Sequence, residues 1–451
     1  MYLKKFITLI KFLYIGIMKT KILLIILIGT NISFGQNKKD IQKEIPGLVK
    51  FYKHLHQNPE LSFMEFKTSK LLAKKMRDLG FEVTENFGGT GIVAILKNGR
   101  GPKILIRTDM DALPILEKTG LKFASQVKQK DVEGIEQPVM HACGHDMHMT
   151  VWYGTAKYLA THKNEWKGTI MMIGQPAEER GGGSKAMLDA GLYKKFFVPD
   201  YALALHVNSG LPAGKISYCP GFAMANVDMA RMTIKGQGGH GAYPHLTIDP
   251  VVMSAYYITE LQSIVSREIS PVDPAVVTVG SIHGGTKGNI IPSEVNLEFT
   301  IRSYKDDVRD KILKAMQRKA NAIALSFNVP KEDYPVLKLK DTYTPALYND
   351  PKLTEKIVKV FEKTFGKDNI VKKEPVMGGE DFGRFGRTKE RVPIMMFFLG
   401  AVNSEKYEQY KKEGKRLPSL HSNKLVLDPD KTAETGVKAF VAAIESLTKK
   451  N

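Results

Sequence analysis

The sequence predicts an α/β fold: a central sheet layered with helices, interrupted by an inserted βαββαβ domain of ferredoxin-like order. Three observations carry this. First, Lys103 to Thr108, Thr169 to Gly174 and Tyr201 to His206 are continuous apolar runs of buried-strand length. Each delivers a polar, metal-capable residue at or just past its carboxyl end: Asp109, the pair Glu178 and Glu179, and His206. Ligands of open α/β sheets bind beyond those ends. Second, the stretch from Met229 to Asn328 changes texture to alternating strands and amphipathic helices. Third, Met140 to His148 reads M-H-A-C-G-H-D-M-H, three histidines, a cysteine and an aspartate within nine positions. Imidazole and thiolate are preferred ligands of zinc and its neighbours.

Taken in order, the first 35 residues stand apart from the fold. Met18 to Lys21 supplies a basic region, Ile22 to Ile32 a short apolar one, and Ser33-Phe34-Gly35 a small-residue cleavage site before Gln36. The expectation is a signal peptide starting at Met18 behind an N-terminal extension. The chain would then be exported, periplasmic or secreted, with no stable membrane insertion after signal removal. An uncleaved anchor is the alternative, because Phe6 to Ile32 is long enough to span. Helices are expected over Lys39 to His56 and Phe66 to Leu79, the second stopped by Gly80. Strands follow over Phe81 to Thr84, Ile92 to Lys97 and Lys103 to Thr108. A helix from Met147 to His162 would be capped by Asp146. After the next two apolar strands comes the insert. Its strands are Met229 to Lys235, Ala275 to His283, Glu294 to Arg302 and Val336 to Lys340. Its helices are Asp249 to Glu268, with Pro250 in the first turn, and Lys305 to Phe327. Ile394 to Leu399 returns to the buried type. The expected segments are 1–35 leader, 36–222 first catalytic part, 223–340 insert and 341–451 second catalytic part.

Bulk composition narrows the function. The chain has 451 residues, 43% hydrophobic and 25% charged, with a formal net charge of +19. The lysines are scattered, with no arginine-rich arm and no interleaving of aromatic and basic residues, so no nucleic-acid partner is expected. Carboxylate-bearing small molecules would be attracted by that field. Only Cys143 and Cys219 exist. A disulfide between them is one possibility in an oxidising compartment, but Cys143 sits inside the metal-like cluster.

The chemistry concentrates in a few places. Cys143 and His145, two apart before a helix, can face one metal across a turn. His141 and His148 are expected to support or pack rather than ligate. Adjacent Glu178 and Glu179 suit a division of roles, in which one carboxylate coordinates and the other takes a proton from water. His206 and His421 gain meaning in combination, since Cys143, His145, Glu179, His206 and His421 would supply two metals. His240, flanked by glycines in G-G-H-G-A-Y-P-H, is either an oxyanion donor or part of a polar turn. Asn289 and Arg302 either hold a substrate carboxylate or are structural.

At these residues the sequence resembles the di-metal amidohydrolases of the aminoacylase/glutamate-carboxypeptidase superfamily. It looks nearest to the branch of hippurate hydrolase, N-acyl-L-amino-acid amidohydrolases and indole-acetyl-amino-acid hydrolases. The resemblance runs from about Leu55 to Leu425. It is carried by L-H-Q-N-P-E-L-S-F from Leu55, R-T-D-M-D-A-L-P from Arg107, H-A-C-G-H-D from His141 and Q-P-A-E-E from Gln175. It continues with G-G-H-G-A-Y-P-H from Gly238, G-G-T-K-G-N-I-I-P from Gly284 and G-G-E-D-F from Gly378. The resemblance implies a zinc-peptidase-like catalytic domain with a central mixed sheet, and a lid that joins a homodimer. It implies Cys143 bridging two divalent metals, Glu178 as general base and Asp109 as an orienting residue. The departures are Asn208-Ser209 after His206-Val207, Met147 after His145-Asp146, and Asn423 and Leu425 after His421. They spare the five ligand positions and fall around the pocket.

The expectation is therefore hydrolysis of the amide bond of an N-acyl amino acid, hippurate-like or N-acetylated, or of a short peptide. Metal-activated water would attack, Glu178 would pass its proton to the leaving nitrogen, and His240 would help hold the oxyanion. Zinc, manganese, cobalt and nickel all suit the donors. The alternatives are an exported dipeptidase or carboxypeptidase and a non-catalytic binding protein. An intact Glu178 argues against the last.

Overall fold

The computed structural model describes residues 40–340 and 343–448. The expected leader, 1–35, and the Asp341 boundary lie outside the described residues. In chain order the structure begins with α1 (40–57) and α2 (Phe66–Asp78). Strands β1 (Glu82–Thr84), β2 (Ile92–Asn98) and β3 (Lys103–Asp109) come next, then α3 (His145–Thr161), β4 (Gly168–Gln175), β5 (Tyr201–Pro212) and β6 (Ile216–Tyr218). The middle stretch contributes β7 (Asp228–Lys235), β8 (Gly239–His240), α4 (Pro250–Ser263), β9 (Ala275–His283), β10 (Ile290–Ile291), β11 (Glu294–Ser303), α5 (Asp306–Ser326) and β12 (Lys338–Leu339). The chain closes with α6 (Pro351–Phe365), β13 (Ile370–Lys372), β14 (Ile394–Val402) and α7 (Pro429–Thr448).

The main sheet is mixed and has the strand order β1-β2-β4-β3-β5-β14-β6-β13. Its centre, β4-β3-β5-β14, is parallel. Side chains on a strand alternate between faces, and the apolar runs use both. On β3, Ile104 and Ile106 join the core under α1, α2, α3, α6 and α7, while Leu105 joins the core on the opposite face. On β4, Ile170 and Met172 divide from Met171 and Ile173 in the same way. Strands covered on both sides need no polar face, which is why they read as unbroken apolar runs.

The middle stretch forms a separate four-stranded sheet, β9-β11-β7-β12, with every neighbour antiparallel. Helices α4 and α5 cover one face, where Met232 and Ile234 of β7 and Leu297 and Phe299 of β11 pack against Tyr257 and Met316. Strand order and connectivity are those of the ferredoxin-like arrangement. Among the described residues no helix is long and apolar enough to cross a membrane.

Four local expectations change. The helix expected from Met147 starts at His145, after Gly144 in a left-handed conformation (φ 83°). Asp146 is thus inside the first turn, and its carboxylate accepts from Met147 N and pairs with His56. His206 does not end its strand, because β5 stays paired to β14 through Asn208 after its pairing with β3 stops at Ala204. The helix expected over Asp249 to Glu268 is α-helical from Pro250 to Ser263 and widens to a π turn over Ile264–Glu268, with Asp249 as its cap. The strand expected over Val336 to Lys340 narrows to β12.

Candidate active site

Backbone turns at three places set the donors. Between Cys143 and His145, Gly144 takes the left-handed turn, and a Cβ there would come within 2.5 Å of Val207 Cγ2. The turn aims the thiol and the imidazole into one space. Past β4, Ala177 also has a positive φ, 48°, uncommon for a residue with a Cβ. Its N–H is held by Glu65 Oε1 at 2.8 Å. The next two N–H groups, of Glu178 and Glu179, donate to the two oxygens of Asp111 at 3.1 and 3.0 Å. Both glutamate side chains are thereby directed to the cavity, and they are 10% and 9% exposed. His421, in its loop, likewise has a positive φ of 65°.

Five donor groups converge. Cys143 Sγ lies 3.4 Å from His206 Nε2, whose ring donates from Nδ1 to Val207 O. His145 donates from Nδ1 to the Asp111 carbonyl at 2.8 Å, which leaves Nε2 as a lone-pair donor. That Nε2 lies 3.9 Å from Glu179 Oε1, and His421 Nε2 lies 3.5 Å from the same oxygen. Cys143, His145 and His206 form one ligand-capable triad, and Cys143, Glu179 and His421 a second, so the thiol is common to both. Separations of this size suit donors sharing an ion at about 2.0–2.3 Å.

The donor set also fits a cation electrostatically. His145 Nε2 and Glu179 Oε1 are buried with no hydrogen-bond partner, which is costly without a ligand. Four carboxyl groups, Asp109, Glu178, Glu380 and Asp381, gather around one guanidinium, Arg107, and Asp111 and Glu179 add two more carboxyl groups beside His145. Burial, then the nearby Glu179 and Glu178, push the Cys143 thiol well up, so a thiolate there requires positive charge beside it. Burial, then Glu380 and Glu179, raise Glu178 well above the usual carboxylate range.

Arg107 is the centre of the supporting network. Fully buried, it donates from Nε to Gln175 Oε1 at 3.0 Å and from Nη1 to Asp109 Oδ2 at 2.6 Å. Its Nη2 reaches Glu380 Oε1 at 2.9 Å and Asp381 Oδ1 at 3.1 Å. This gives the G-G-E-D motif its place: it closes the far side of the arginine. Asp109 itself accepts from His148 Nδ1 at 2.7 Å, and His148 Nε2 accepts from Val207 N at 2.9 Å. Asp109 therefore orients His148 and the strand carrying His206, while the Asp111 carbonyl orients His145. His141 is buried, with neither ring nitrogen partnered among the described residues, and burial brings its pKa down to about 4.

Sequence reasoning anticipates a supporting role for His148, but not these roles for Arg107, Asp111, Glu65 and Glu380. Asp111 and Arg107 were in view, in R-T-D-M-D-A-L-P, and the pattern of alternate acidic residues after a buried strand was the signal. Both cysteines are free, so there is no Cys143–Cys219 disulfide.

A cavity of about 820 Å³ opens over the cluster, lined by four of the donors (Cys143, Glu179, His206 and His421), Glu178, and Arg302 and Met229 from the second sheet. Arg302 thus faces the cluster. His240 and Asn289 do not line this cavity. They lie together on the exposed ribbon β8/β10, where Gly241 N donates to Asn289 O and Ala242 N to His240 Nδ1. The ribbon holds both at the surface of this chain.

The chain is similar to known proteins. The model of peptidase family M20/M25/M40 matches residues 105–423. Thermostable carboxypeptidase 2 of Saccharolobus solfataricus is 37% identical over 397 residues, covering 87% of this chain and 93% of that protein. An N-acetyldiaminopimelate deacetylase of Halalkalibacterium halodurans is 38% identical over 360 residues, 79% of this chain and 91% of that protein. Among solved structures, a Bacillus subtilis dinuclear metal-binding peptidase of family M20 superposes with a TM-score of 0.70 at 28% identity, covering 90% and 98% of the two chains.

Proposed function

This chain belongs to peptidase family M20/M25/M40 and is a hydrolytic enzyme on amide bonds, and from that premise we propose that it cleaves N-acyl amino acids with two divalent ions. The observation that carries the proposal is the sharing of Cys143 between two ligand triads, with Glu178 facing the same space beside Glu179. In this reading Cys143, His145, Glu179, His206 and His421 hold the ions, whether zinc, manganese, cobalt or nickel. A bound pair supplies Lewis acidity toward an amide carbonyl and makes water a competent nucleophile near neutral pH. Glu178 takes the proton of the attacking water and carries it to the leaving nitrogen. Arg302 holds the α-carboxylate from the cavity roof.

His240 and Asn289 are read as serving the cavity of a partner subunit. Leu246, Val251, Val252 and Tyr256 are exposed beside the ribbon, as a homodimer joined through the inserted sheet would use them. Export with a mature end near Gln36 remains part of the proposal, on the strength of the basic and apolar leader alone.

A second reading, hydrolysis of dipeptides or peptide C-termini, is favoured by the carboxypeptidase relative. Metal-loaded enzyme given hippurate, N-acetyl-methionine and a dipeptide panel separates the two. Acyl amino acids should turn over fastest. A dominant rate on dipeptides would move the assignment to the second reading, and no hydrolysis of any amide would overturn both.

A further inference from the structure

The cavity contains two cationic side chains that the protein does not neutralise. Arg302 donates from Nε to Thr300 Oγ1 at 3.2 Å and lines the cavity roof. Lys373, just past β13, lines the same cavity. Among the described residues neither is in an ion pair, and each is half-buried. Glu374 follows Lys373 and also lines the cavity, but it is exposed and forms no ion pair with the lysine. Burial alone lowers the pKa of both cations, with no neighbouring charge working the other way. A half-buried cation without a partner carries a desolvation cost that an arriving anion would offset.

The two stand on opposite sides of the metal-ligand cluster. The Arg302 guanidinium lies against Gly379, where a Cβ would come within 3.2 Å of Nη1. A Cβ on Gly379 would also collide with Val227, and one on Gly181 with Thr344, which pairs with Val227. Arg302 therefore lies on the side of the cavity where Gly181, in the turn that follows Glu179, meets Thr344. Lys373 N donates to Tyr218 O at 2.9 Å, which places it past the ends of β6 and β13. The strand order β4-β3-β5-β14-β6-β13 puts His206, on β5, between them. From β5 to β13 is three strand spacings, roughly 14 Å at ~4.8 Å each. The wall between is apolar: Phe398, in register with His206, together with Met224 and Met377.

We infer that Lys373 binds an anionic group at the far end of the substrate's acyl chain, so that the preferred substrates are amino acids acylated by a dicarboxylic acid. The inference rests on the amide-hydrolase reading. With the α-carboxylate on Arg302 and the amide at the cluster, the acyl group extends over Phe398 toward β13. Its methylenes meet the apolar wall and its terminal carboxylate meets the lysine. The α-carboxylate cannot serve both cations, because the cluster lies between them.

The test compares matched acyl groups on one amino acid: N-glutaryl-L-alanine against N-pentanoyl-L-alanine, with the succinyl and adipoyl homologues and their neutral counterparts. Wild-type enzyme should prefer a dicarboxylic member in kcat/KM by about ten- to a hundredfold, the scale of one hydrogen bond to a charged group. Lys373→Met should collapse that ratio, Lys373→Arg should keep it, and Lys373→Glu should shift preference to an ω-amino acyl group. The same ratio is read without turnover by calorimetric binding to metal-loaded Glu178→Gln protein. No preference in any wild-type pair, or a preference retained in folded Lys373→Met, overturns the inference. If no amide is hydrolysed the functional reading fails, and the binding ratio still decides Lys373.

Discussion

Glu178 and Glu179 are neighbours in sequence with different surroundings, and the difference separates their roles. Glu179 lies within reach of His145 and His421, whereas Glu178 faces Glu380 and Asp381 as well as His145. Glu178→Gln should keep the metals and lower kcat by about two to four orders of magnitude, as loss of a positioned base does. Loss of metal in that variant, read by elemental analysis, would exchange the two roles. Four of the five donors were legible because metal-binding residue types cluster locally, as C-x-H and E-E, or end an apolar run, and His421 gained meaning only in combination with them. The pairing of Arg107 with Glu380 was not legible, because Glu380 lies 273 positions away and only folding brings it near. A buried arginine cannot be told from an exposed one by residue type.

At the level of elements, two joints hold the site. Gly144 turns the chain from β3's loops into α3. Gly144→Ala would meet both the positive φ and the Val207 side chain, so it should destabilise the fold by more than about 1 kcal/mol and reduce metal occupancy. Unchanged stability in urea unfolding would show that the turn relaxes freely. The second joint is His56 of α1, buried between Asp146 of α3 at 2.7 Å and Glu117 at 3.1 Å. Burial opposes its charge, but the hydrogen bonds to Asp146 and Glu117 prevail and raise it from 6.5 to about 10. A raised folded-state pKa contributes stability that is full below about 6.5 and is lost as pH climbs toward 10. Unfolding free energy should therefore fall across that window more steeply in wild type than in His56→Gln. Parallel profiles would remove His56 from the account. Strands were read well here because two-sided burial leaves an unmistakable apolar run. Helices α6 and α7 were missed, although Asp350-Pro351 and Asp428-Pro429 repeat the Asp-Pro start of α4. Asp350 and Asp428 accept from Leu353 N and Lys431 N as caps. The end of β5 was misplaced because its partner β14 is remote in sequence and continues the pairing.

At the level of the whole molecule, the inserted sheet contributes Arg302 to the cavity and leaves His240 outside it. The order of strands and helices in the insert was legible from alternation and periodicity, but which residues would face the cavity was not, since that depends on how the two sheets meet. His240→Ala should lose turnover while keeping metal and fold. Mixed with inactive Glu178→Gln protein it should regain activity, since one site of a mixed dimer has an intact Glu178 and a partner's intact His240. If mixed dimers form and stay inactive, His240 has no part in the partner's site. The central claim is that paired divalent ions on the Cys143-centred cluster are required for amide hydrolysis. Its most direct test is metal content measured together with hydrolysis of an N-acyl amino acid, before chelation, after chelation and after metal return. Two ions per chain, activity lost with them and regained on their return, is the result this structure predicts. Full activity in protein stripped of metal would contradict it.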